Sequence, residues 1–185
     1  LCGGALIAPG WVLTAAHCLW DRGLRIDGQG YQLRLGVFNP RASEGSSHRI
    51  LRTIAHPDYK PSTQAFDIAL VEFDQRSADR SPLTYPIARI RLDPLGMDER
   101  PIRAGAPVFT YGWGWTEADR SGSTDHLRGV RMGLVSPQEC EQITAYRGRL
   151  AGAALCAGGP DQGQACRGDS GGPLVLFSDP ERLPT

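Results

Sequence analysis

The sequence has almost no lysine and no net charge, and both absences narrow the range of partners. Lysine and arginine total 20 and aspartate and glutamate total 20, so the formal charge at pH 7 is zero. Every basic residue except Lys60 is an arginine, and the arginines are scattered along the chain. A nucleic-acid-binding domain normally carries a clustered basic face, and so does a protein that binds anionic membranes. We therefore expect neither nucleic acid nor a membrane as a partner.

Long helical patterns and sequence repeats are also lacking. The sequence indicates one short helix, with Ser136 as its N-cap, Pro137 in its first turn and Glu139 as the N3 acid. Glycine (23) and proline (14) together make up about a fifth of the 185 residues, beside 41% hydrophobic residues. This composition is typical of a turn-rich β protein and not of a disordered one.

Charged residues are missing from the opening segment, residues 1–20, which raises the alternative of a signal peptide or a membrane span. Against this alternative, the segment has no basic n-region, and residues that break apolar helices interrupt it: Gly3, Gly4, Pro9 and Gly10. Because the chain begins at Leu1 and not at Met, we expect it to be a piece of a longer or processed protein.

Short alternating or apolar segments between turn residues predict strands in both halves of the chain. The predicted strands are 5–8, 11–15, 32–35, 49–55 and 68–73, followed by 108–112, 129–135, 154–157 and 173–177. Residues 75–104, rich in proline, arginine and aspartate, predict a surface connection between the halves. Strands at this spacing favour antiparallel barrels or sandwiches. A parallel α/β sheet would need amphipathic helices between the strands, and the sequence shows none.

No two of the five cysteines have the CxxC spacing of a zinc or redox site. Two pairs of equal span, Cys2–Cys18 and Cys140–Cys156, are plausible disulfides, each stabilising the fold by about 3 kcal/mol in the chain-entropy estimate. Disulfides persist in oxidising compartments, so we expect a secreted, extracellular protein. Cys166 is then left over, either as a free thiol or with a partner outside this chain.

Two segments contain side chains that could act as a base and its orienting acid. His17 follows an apolar segment and is either packed in the core or placed at the edge of a lobe as a catalytic base. Asp67 opens the apolar segment 66–71. It is either a turn residue capping a strand or a buried carboxylate that orients a histidine ring, because a buried charge needs hydrogen bonds.

A third segment, Gly168-Asp169-Ser170-Gly171-Gly172-Pro173, is far more specific. Glycines on both sides of Ser170 permit backbone angles that other residues avoid, and they let a substrate approach closely. Such a turn can direct the N–H groups of Gly168 and Ser170 at one developing oxyanion. A glycine-rich surface turn alone would not explain an Asp-Ser pair at its centre.

The three segments, in the order His, Asp, Ser, resemble the chymotrypsin/trypsin family of serine endopeptidases. The resemblance also includes Leu1-Cys2-Gly3-Gly4, residues 11–18, His56-Pro57 and Gly112-Trp113-Gly114. The order of the residues excludes the subtilisin and α/β-hydrolase arrangements. The resemblance implies an all-β fold of two antiparallel β-barrels with the active site between them.

This resemblance also implies how one peptidase domain is divided along the chain. Residues 1–77 would form the N-terminal barrel lobe with His17 and Asp67, and residues 78–104 would connect the lobes. Residues 105–185 would form the C-terminal barrel lobe with Ser170. We expect this second barrel to be incomplete in this chain, and the 185-residue piece to be poorly active on its own.

The resemblance implies a chemical role for each residue of the site. Ser170 would attack the scissile carbonyl to form an acyl-enzyme, His17 would transfer the proton, and Asp67 would orient His17. The N–H groups of Gly168 and Ser170 would form the oxyanion hole. Asp169 would receive the N-terminal amine that zymogen cleavage creates, and since this chain carries no such amine we expect Asp169 to lack a partner.

Disulfides and specificity follow from the same resemblance. Both cysteine pairs match family disulfides, and Cys166 matches a cysteine whose partner lies downstream. Gln164, with Ala165 and Arg167, would line the specificity pocket, and Gln164 would form its floor. Because Gln164 is neutral, it argues against a trypsin-type preference for arginine or lysine.

We expect no cofactor and no metal. In the segment that binds calcium in some family members, Val37 and Ser47 stand where carboxylates would be needed, which leaves Glu44 as a lone acid. The expected partners are protein or peptide substrates, with proteinaceous inhibitors and an activating protease as further ones.

Two alternatives remain open. One is a pseudoprotease, a regulatory binding module of the same fold, although all three triad residues are present. The other is a metal-binding protein that uses the cysteines and the four histidines, for which no pair has ligand spacing. These histidines are His17, His48, His56 and His126.

Overall fold

The computed structural model describes residues 1–21, 24–26, 30–76, 79–80, 87–92, 103–116, 124–143, 147, 154–159 and 163–176. In the first half, the strands are β1 (Ala5–Ala8), β2 (Trp11–Thr14), β3 (Trp20–Asp21), β4 (Leu24–Arg25), β5 (Leu33–Leu35), β6 (Ser46–His48), β7 (Ile50–Ala55), β8 (Ala69–Phe73) and β9 (Asp79–Arg80). The second half contributes β10 (Pro107–Gly112), β11 (Arg128–Val135), β12 (Cys156–Ala157) and β13 (Leu174–Val175). A 3-10 helix spans Ala16–Leu19, and one α-helix, α1, spans Pro137–Gln142. Among the described helices none has the length and apolar character needed to cross a membrane.

The first half is built on an antiparallel sheet with strand order β1-β2-β8-β7. Every second residue of β8 is buried, namely Ala69, Val71 and Phe73, because successive side chains of a strand point to opposite faces. These residues pack with Val12 of β2 and with Leu19 of the 3-10 helix in one core. A smaller sheet, β5-β6-β9, and the β3-β4 pair complete the described strands of this half.

The second half has its own antiparallel sheet, with strand order β12-β11-β10-β13. Its core contains Val108 of β10 with Met132 and Leu134 of β11. All the strand pairs in the described residues are antiparallel, so the predicted all-β class is confirmed. The described strands form only parts of two barrels.

Four strands of the first half lie outside the predicted segments: the short pair β3 and β4, and strands β6 and β9. Strand β6 contains no apolar residue and is not among the predicted strands, yet Ser46 and His48 are both buried on one face. The two buried side chains are hydrogen-bonded to each other, with Ser46 Oγ 2.8 Å from His48 Nε2. The other ring nitrogen of His48, Nδ1, lies 3.1 Å from the carbonyl oxygen of Asp74. Strand β9 lies within the segment predicted as a surface connection and pairs with β6.

Smaller differences concern the ends of several predicted strands. Residues Ala16–Leu19, adjacent to the predicted strand 11–15, form the 3-10 helix. At the other end of the chain, only Leu174–Val175 of the predicted strand 173–177 are paired, and residue 177 lies outside the described residues.

Helix α1 has Ser136 as its N-cap, as predicted. The hydroxyl of Ser136 accepts a hydrogen bond from the backbone N–H of Glu139 at 3.2 Å, and the Glu139 carboxylate accepts one from the backbone N–H of Ser136 at 3.2 Å. This reciprocal pair is a capping box, which satisfies N–H groups that a helix end leaves unpaired. The hydrogen bonds from the Ser136 hydroxyl and backbone hold the pKa of the Glu139 carboxyl below its usual range.

Replacing Ser136 with alanine should lower the free energy of unfolding by about 1 kcal/mol, because the first turn of α1 loses its cap. The difference from wild type should shrink as the pH falls through the folded-state pKa of Glu139. A carboxyl with a lowered pKa stabilises the fold only while it is ionised. Urea denaturation at several pH values measures both effects, with the exposed Ser62→Ala as a control. A Ser136→Ala variant as stable as wild type at neutral pH would contradict the assignment.

Candidate active site

His17 and Asp67 are brought together by the pairing of β2 with β8. Thr14, at the end of β2, lies opposite Ala69 at the start of β8, so the residues flanking these positions meet at the same edge of the sheet. Nδ1 of His17 lies 2.6 Å from Oδ2 of Asp67, and the backbone N–H of His17 donates to Oδ1 at 2.7 Å. Both carboxylate oxygens are therefore used on one residue, and the ring and the carboxylate share a fixed orientation.

The backbone before Asp67 turns sharply. Phe66 has a φ of 55°, a left-handed conformation that bulky residues rarely adopt. The N–H of Ile68 donates to the carbonyl of Phe66 at 2.8 Å across this turn, and the Phe66 ring stacks on His56 with centroids 4.9 Å apart. These contacts hold a strained conformation that directs Asp67 towards His17.

The surroundings of Asp67 are half-buried. The side chains of His17 and Asp67 are 32% and 23% exposed. Nearby, burial and then the negative charge of Asp67 raise the pKa of the Tyr59 hydroxyl. Tyr59 therefore stays neutral beside the carboxylate over the physiological pH range.

The turn that carries Ser170 is held against the first half of the chain. The carbonyl of Ser170 accepts a hydrogen bond from the N–H of Gly3 at 2.7 Å, and Thr14 Oγ1 donates to the carbonyl of Gly3 at 2.8 Å. Gly171 has a φ of 79°, and a Cβ there would lie 2.6 Å from the carbonyl oxygen of Gly3. A side chain at position 171 would therefore separate the turn from the segment that holds it.

The Cys2–Cys18 disulfide lies between His17 and Ser170. Its Cys18 sulfur is 3.8 Å from Nε2 of His17 and 3.8 Å from the carbonyl oxygen of Ser170. Because this sulfur is in a disulfide, it has no proton to donate, and both distances are packing contacts. The structure thus joins His17 to Asp67 directly and sets Ser170 beside them. Among the described residues, no hydrogen bond joins His17 to the Ser170 hydroxyl.

Two N–H groups of the same turn are available to a ligand. The N–H of Asp169 donates to the carbonyl of Cys166 at 3.0 Å, and that of Gly172 donates to the carbonyl of Asp169 at 2.9 Å. The N–H groups of Gly168 and Ser170 donate to no acceptor in the part of the chain that the structure describes. Gly168 has a φ of 105°, which only glycine adopts readily.

The expectation that Asp169 would lack a partner is wrong. Its Oδ1 accepts a hydrogen bond from the N–H of Gly114 at 2.7 Å, and its Oδ2 accepts one from the N–H of Cys166 at 2.9 Å. Backbone N–H groups can serve a carboxylate in the absence of an ammonium group. The two glycines around Trp113 were the available signal, because a side chain at Gly112 or Gly114 would overlap the Asp169 carboxylate.

The three predicted pocket residues lie along one exposed segment. Gln164, Ala165 and Arg167 are all exposed, and so is Cys166, which is a free cysteine. The Arg167 guanidinium lies over the ring of Trp115 at 5.2 Å, and the N–H of Trp115 donates to the carbonyl of Arg167 at 3.0 Å. This stacking holds Arg167 next to the turn that carries Ser170.

The structure contains disulfides between Cys2 and Cys18 and between Cys140 and Cys156, each with Cα atoms 6.2 Å apart. Among the described residues, Cys2, His17 and Cys18 have ligand atoms close enough together for one metal ion, all within 4.8 Å. The metal ligand of a cysteine is its thiolate, however, and the disulfide between Cys2 and Cys18 leaves none. The chemistry of this donor set therefore does not suit a metal.

Comparison with known proteins relates this arrangement to one family. The family model described as Trypsin matches residues 1–179. The chain belongs to the trypsin family. Its fold is accordingly the all-β fold of the chymotrypsin type, as the sequence predicts.

Relatives in this family cover nearly all of the chain. Kallikrein-11 of Mus musculus is 34% identical over 182 residues, 95% of this chain and 59% of the relative. Transmembrane protease serine 5 of Homo sapiens is 33% identical over 177 residues, 94% of this chain and 37% of the relative. Trypsin of Simulium vittatum is 31% identical over 176 residues, 95% of this chain and 66% of the relative. The chain therefore spans less than two thirds of the length of these relatives.

Proposed function

We propose that the protein is a serine endopeptidase that hydrolyses peptide bonds through Ser170, His17 and Asp67. The observation that carries this proposal is the His17–Asp67 pair, with Nδ1 and Oδ2 2.6 Å apart, beside the turn of Ser170. Membership of the trypsin family supports the same chemistry.

The hydrogen bonds of Asp67 determine which ring nitrogen of His17 can act as a base. A carboxylate only accepts, so Nδ1 carries the proton that points at Oδ2. Nε2 is then left with its lone pair and can accept the proton of the Ser170 hydroxyl as Oγ attacks the scissile carbonyl. The imidazolium that forms is stabilised by Asp67, whose second oxygen is held by the backbone N–H of His17.

Collapse of the tetrahedral intermediate completes acylation. The oxyanion accepts hydrogen bonds from the N–H groups of Gly168 and Ser170, and His17 gives its proton to the leaving amine as the peptide C–N bond breaks. Water then attacks the acyl-enzyme ester as His17 takes its proton. His17 passes this proton to Oγ of Ser170 as the ester C–O bond breaks, which releases the second product and restores the Ser170 hydroxyl. Asp169 holds the Gly168–Ser170 turn in place, which the hydrogen bonds of its carboxylate support.

The site lies between two lobes. The separate cores around Val71 and around Val108 support a first lobe over residues 1–77 and a second over 105–185, joined by 78–104. His17 and Asp67 come from the first lobe and Ser170 from the second. A cleft between two lobes offers an extended peptide access to both.

Protein or peptide substrates are the proposed partners, with proteinaceous inhibitors and an activating protease as further ones. Gln164 at the pocket floor favours an uncharged substrate side chain over arginine or lysine, because a neutral amide offers no ion pair. Secretion is proposed from the two disulfides and from the kallikrein and trypsin relatives.

A fluorophosphonate probe tests the proposed function. In the full-length protein, produced in an oxidising compartment, the probe should label Ser170, because only an activated serine reacts with it. Peptide mapping by mass spectrometry identifies the labelled residue. A folded protein that neither reacts with the probe nor cleaves a peptide library would contradict the proposal, and would favour a pseudoprotease.

A further inference from the structure

One backbone carbonyl of the first half accepts two hydrogen bonds from the second half. The carbonyl oxygen of Phe38 accepts from the indole Nε1–H of Trp113 at 2.9 Å and from the backbone N–H of Leu127 at 2.8 Å. Trp113 directly follows β10 and Leu127 directly precedes β11, so this carbonyl ties both strands at one end. A carbonyl oxygen has two lone pairs, and both are used.

The segment that presents this carbonyl, residues 36–45, is held from inside by Arg34. The guanidinium donates to the carbonyls of Pro40 at 2.7 Å, Ala42 at 2.8 Å and Glu44 at 2.6 Å. The Glu44 carboxylate also accepts from the backbone N–H of Asn39. Because a guanidinium is planar and rigid, three such bonds fix the segment and with it the position of Phe38.

Two further contacts join segment 36–45 to the second half. The Phe38 ring lies against the ring of His126, with centroids 5.1 Å apart, and Arg41 forms an ion pair with Asp125 at 2.9 Å. These contacts lie near the Leu127 hydrogen bond. The segment is therefore anchored at several points to the residues that precede β11.

On its other side, Trp113 is connected to Asp169. The glycines on either side of Trp113 enclose the Asp169 carboxylate, and the N–H of Gly114 donates to it at 2.7 Å. Gly168, which precedes Asp169, is also packed against this segment, since a Cβ on Gly168 would lie 3.0 Å from Cα of Gly114. A displacement of Trp113 is thus transmitted to the residues that precede Ser170.

We propose that Trp113 is a positioning residue: its hydrogen bond to Phe38 holds the Gly112–Gly114 segment, which in turn holds Asp169 and the Ser170 turn. This inference rests on the proposed function of Ser170. It assigns Trp113 and Arg34 a shared effect on the chemical step that acts through Phe38 and the Ser170 turn.

The direct test is Trp113→Phe in the full-length protein, which keeps an aromatic ring and removes the donor. We expect kcat to fall about tenfold, the size of effect of one lost hydrogen bond, with KM nearly unchanged. Trp11→Phe is the matched control. Trp11 is the first residue of β2, at the end away from His17, and its ring packs against Arg52 of β7. The kcat of this variant should equal that of wild type. A Trp113→Phe variant that loses stability but keeps the wild-type kcat would overturn the proposal.

A double-mutant cycle with Arg34→Lys tests the shared effect. Lysine keeps the charge but cannot donate to three carbonyls in the same fixed geometry. If both side chains act through Phe38, the double variant should have about the same kcat as the slower single variant. Effects that multiply would show that Trp113 and Arg34 act separately, and would contradict the proposal.

Hydrogen–deuterium exchange separates this inference from the proposed function. The N–H groups of Gly114 and Cys166 both donate to Asp169, so Trp113→Phe should speed their exchange whether or not the protein turns over substrate. An inactive wild type with this exchange response would refute the proposed function and leave the positioning role supported. An active wild type without the response would refute the positioning role alone.

Discussion

Replacing Asp67 with asparagine should lower kcat about 10⁴-fold while leaving the protein folded. In the structure, Oδ1 of Asp67 accepts from the backbone N–H of His17, and Oδ2 faces Nδ1. The amide of an asparagine would place its oxygen at the backbone N–H and its NH₂ group at Nδ1. Nδ1 would then have to accept, the ring proton would move to Nε2, and Nε2 could no longer take the proton of Ser170.

The kcat for a peptide substrate and the rate of fluorophosphonate labelling both measure this loss. Asp58→Asn, at an exposed turn position, makes the same chemical change away from His17 and should retain wild-type activity. The two variants should have similar midpoints of thermal unfolding, because asparagine has nearly the same volume as aspartate. If Asp67→Asn lowered kcat less than about tenfold, His17 would not depend on Asp67 for its tautomer.

Local sequence patterns predicted the chemical groups of the candidate site but not the contacts between them. His17, Asp67 and Ser170 each lie in a recognisable short segment. What joins His17 to Asp67, however, is the register of β2 on β8, with Thr14 opposite Ala69. Register depends on packing across the whole sheet, so no local pattern could supply the two distances between His17 and Asp67.

Sequence patterns predicted an element best where an apolar segment or a capping residue determines it locally. The strand at Ala5–Ala8 matches its prediction, and so does the helix whose N-cap is Ser136, because capping residues act locally. Strand β6 was missed because Ser46 and His48 are buried as a hydrogen-bonded pair and not as apolar residues. The partners of Asp169 were missed for a related reason: they are backbone N–H groups, which have no signature in the sequence.

Replacing Gly114 with alanine should reduce kcat by at least about 10² to 10³, the effect of losing one oxyanion-hole donor. A Cβ at this position would lie 2.5 Å from Cγ of Asp169 and 2.6 Å from its Oδ1, so the carboxylate must move. The hydrogen bond from the N–H of Gly114 would be lost with it. Because Gly168 and Ser170 flank Asp169, both N–H groups of the proposed oxyanion hole would leave their positions.

A matched variant separates crowding from backbone strain. Gly105 has a φ of 81° and open space around the position of a Cβ, so Gly105→Ala introduces strain without a collision. It should cost about 1 kcal/mol of stability and keep the wild-type kcat, because among the described residues a Cβ at position 105 contacts nothing that leads to Asp169. Gly114→Ala should instead lose activity while it remains folded: fluorophosphonate labelling of Ser170 should be lost at temperatures well below the unfolding temperature of the variant. Equal losses of activity in the two variants, in proportion to their stability, would mean that the glycines around Trp113 serve folding and do not hold Asp169 in place.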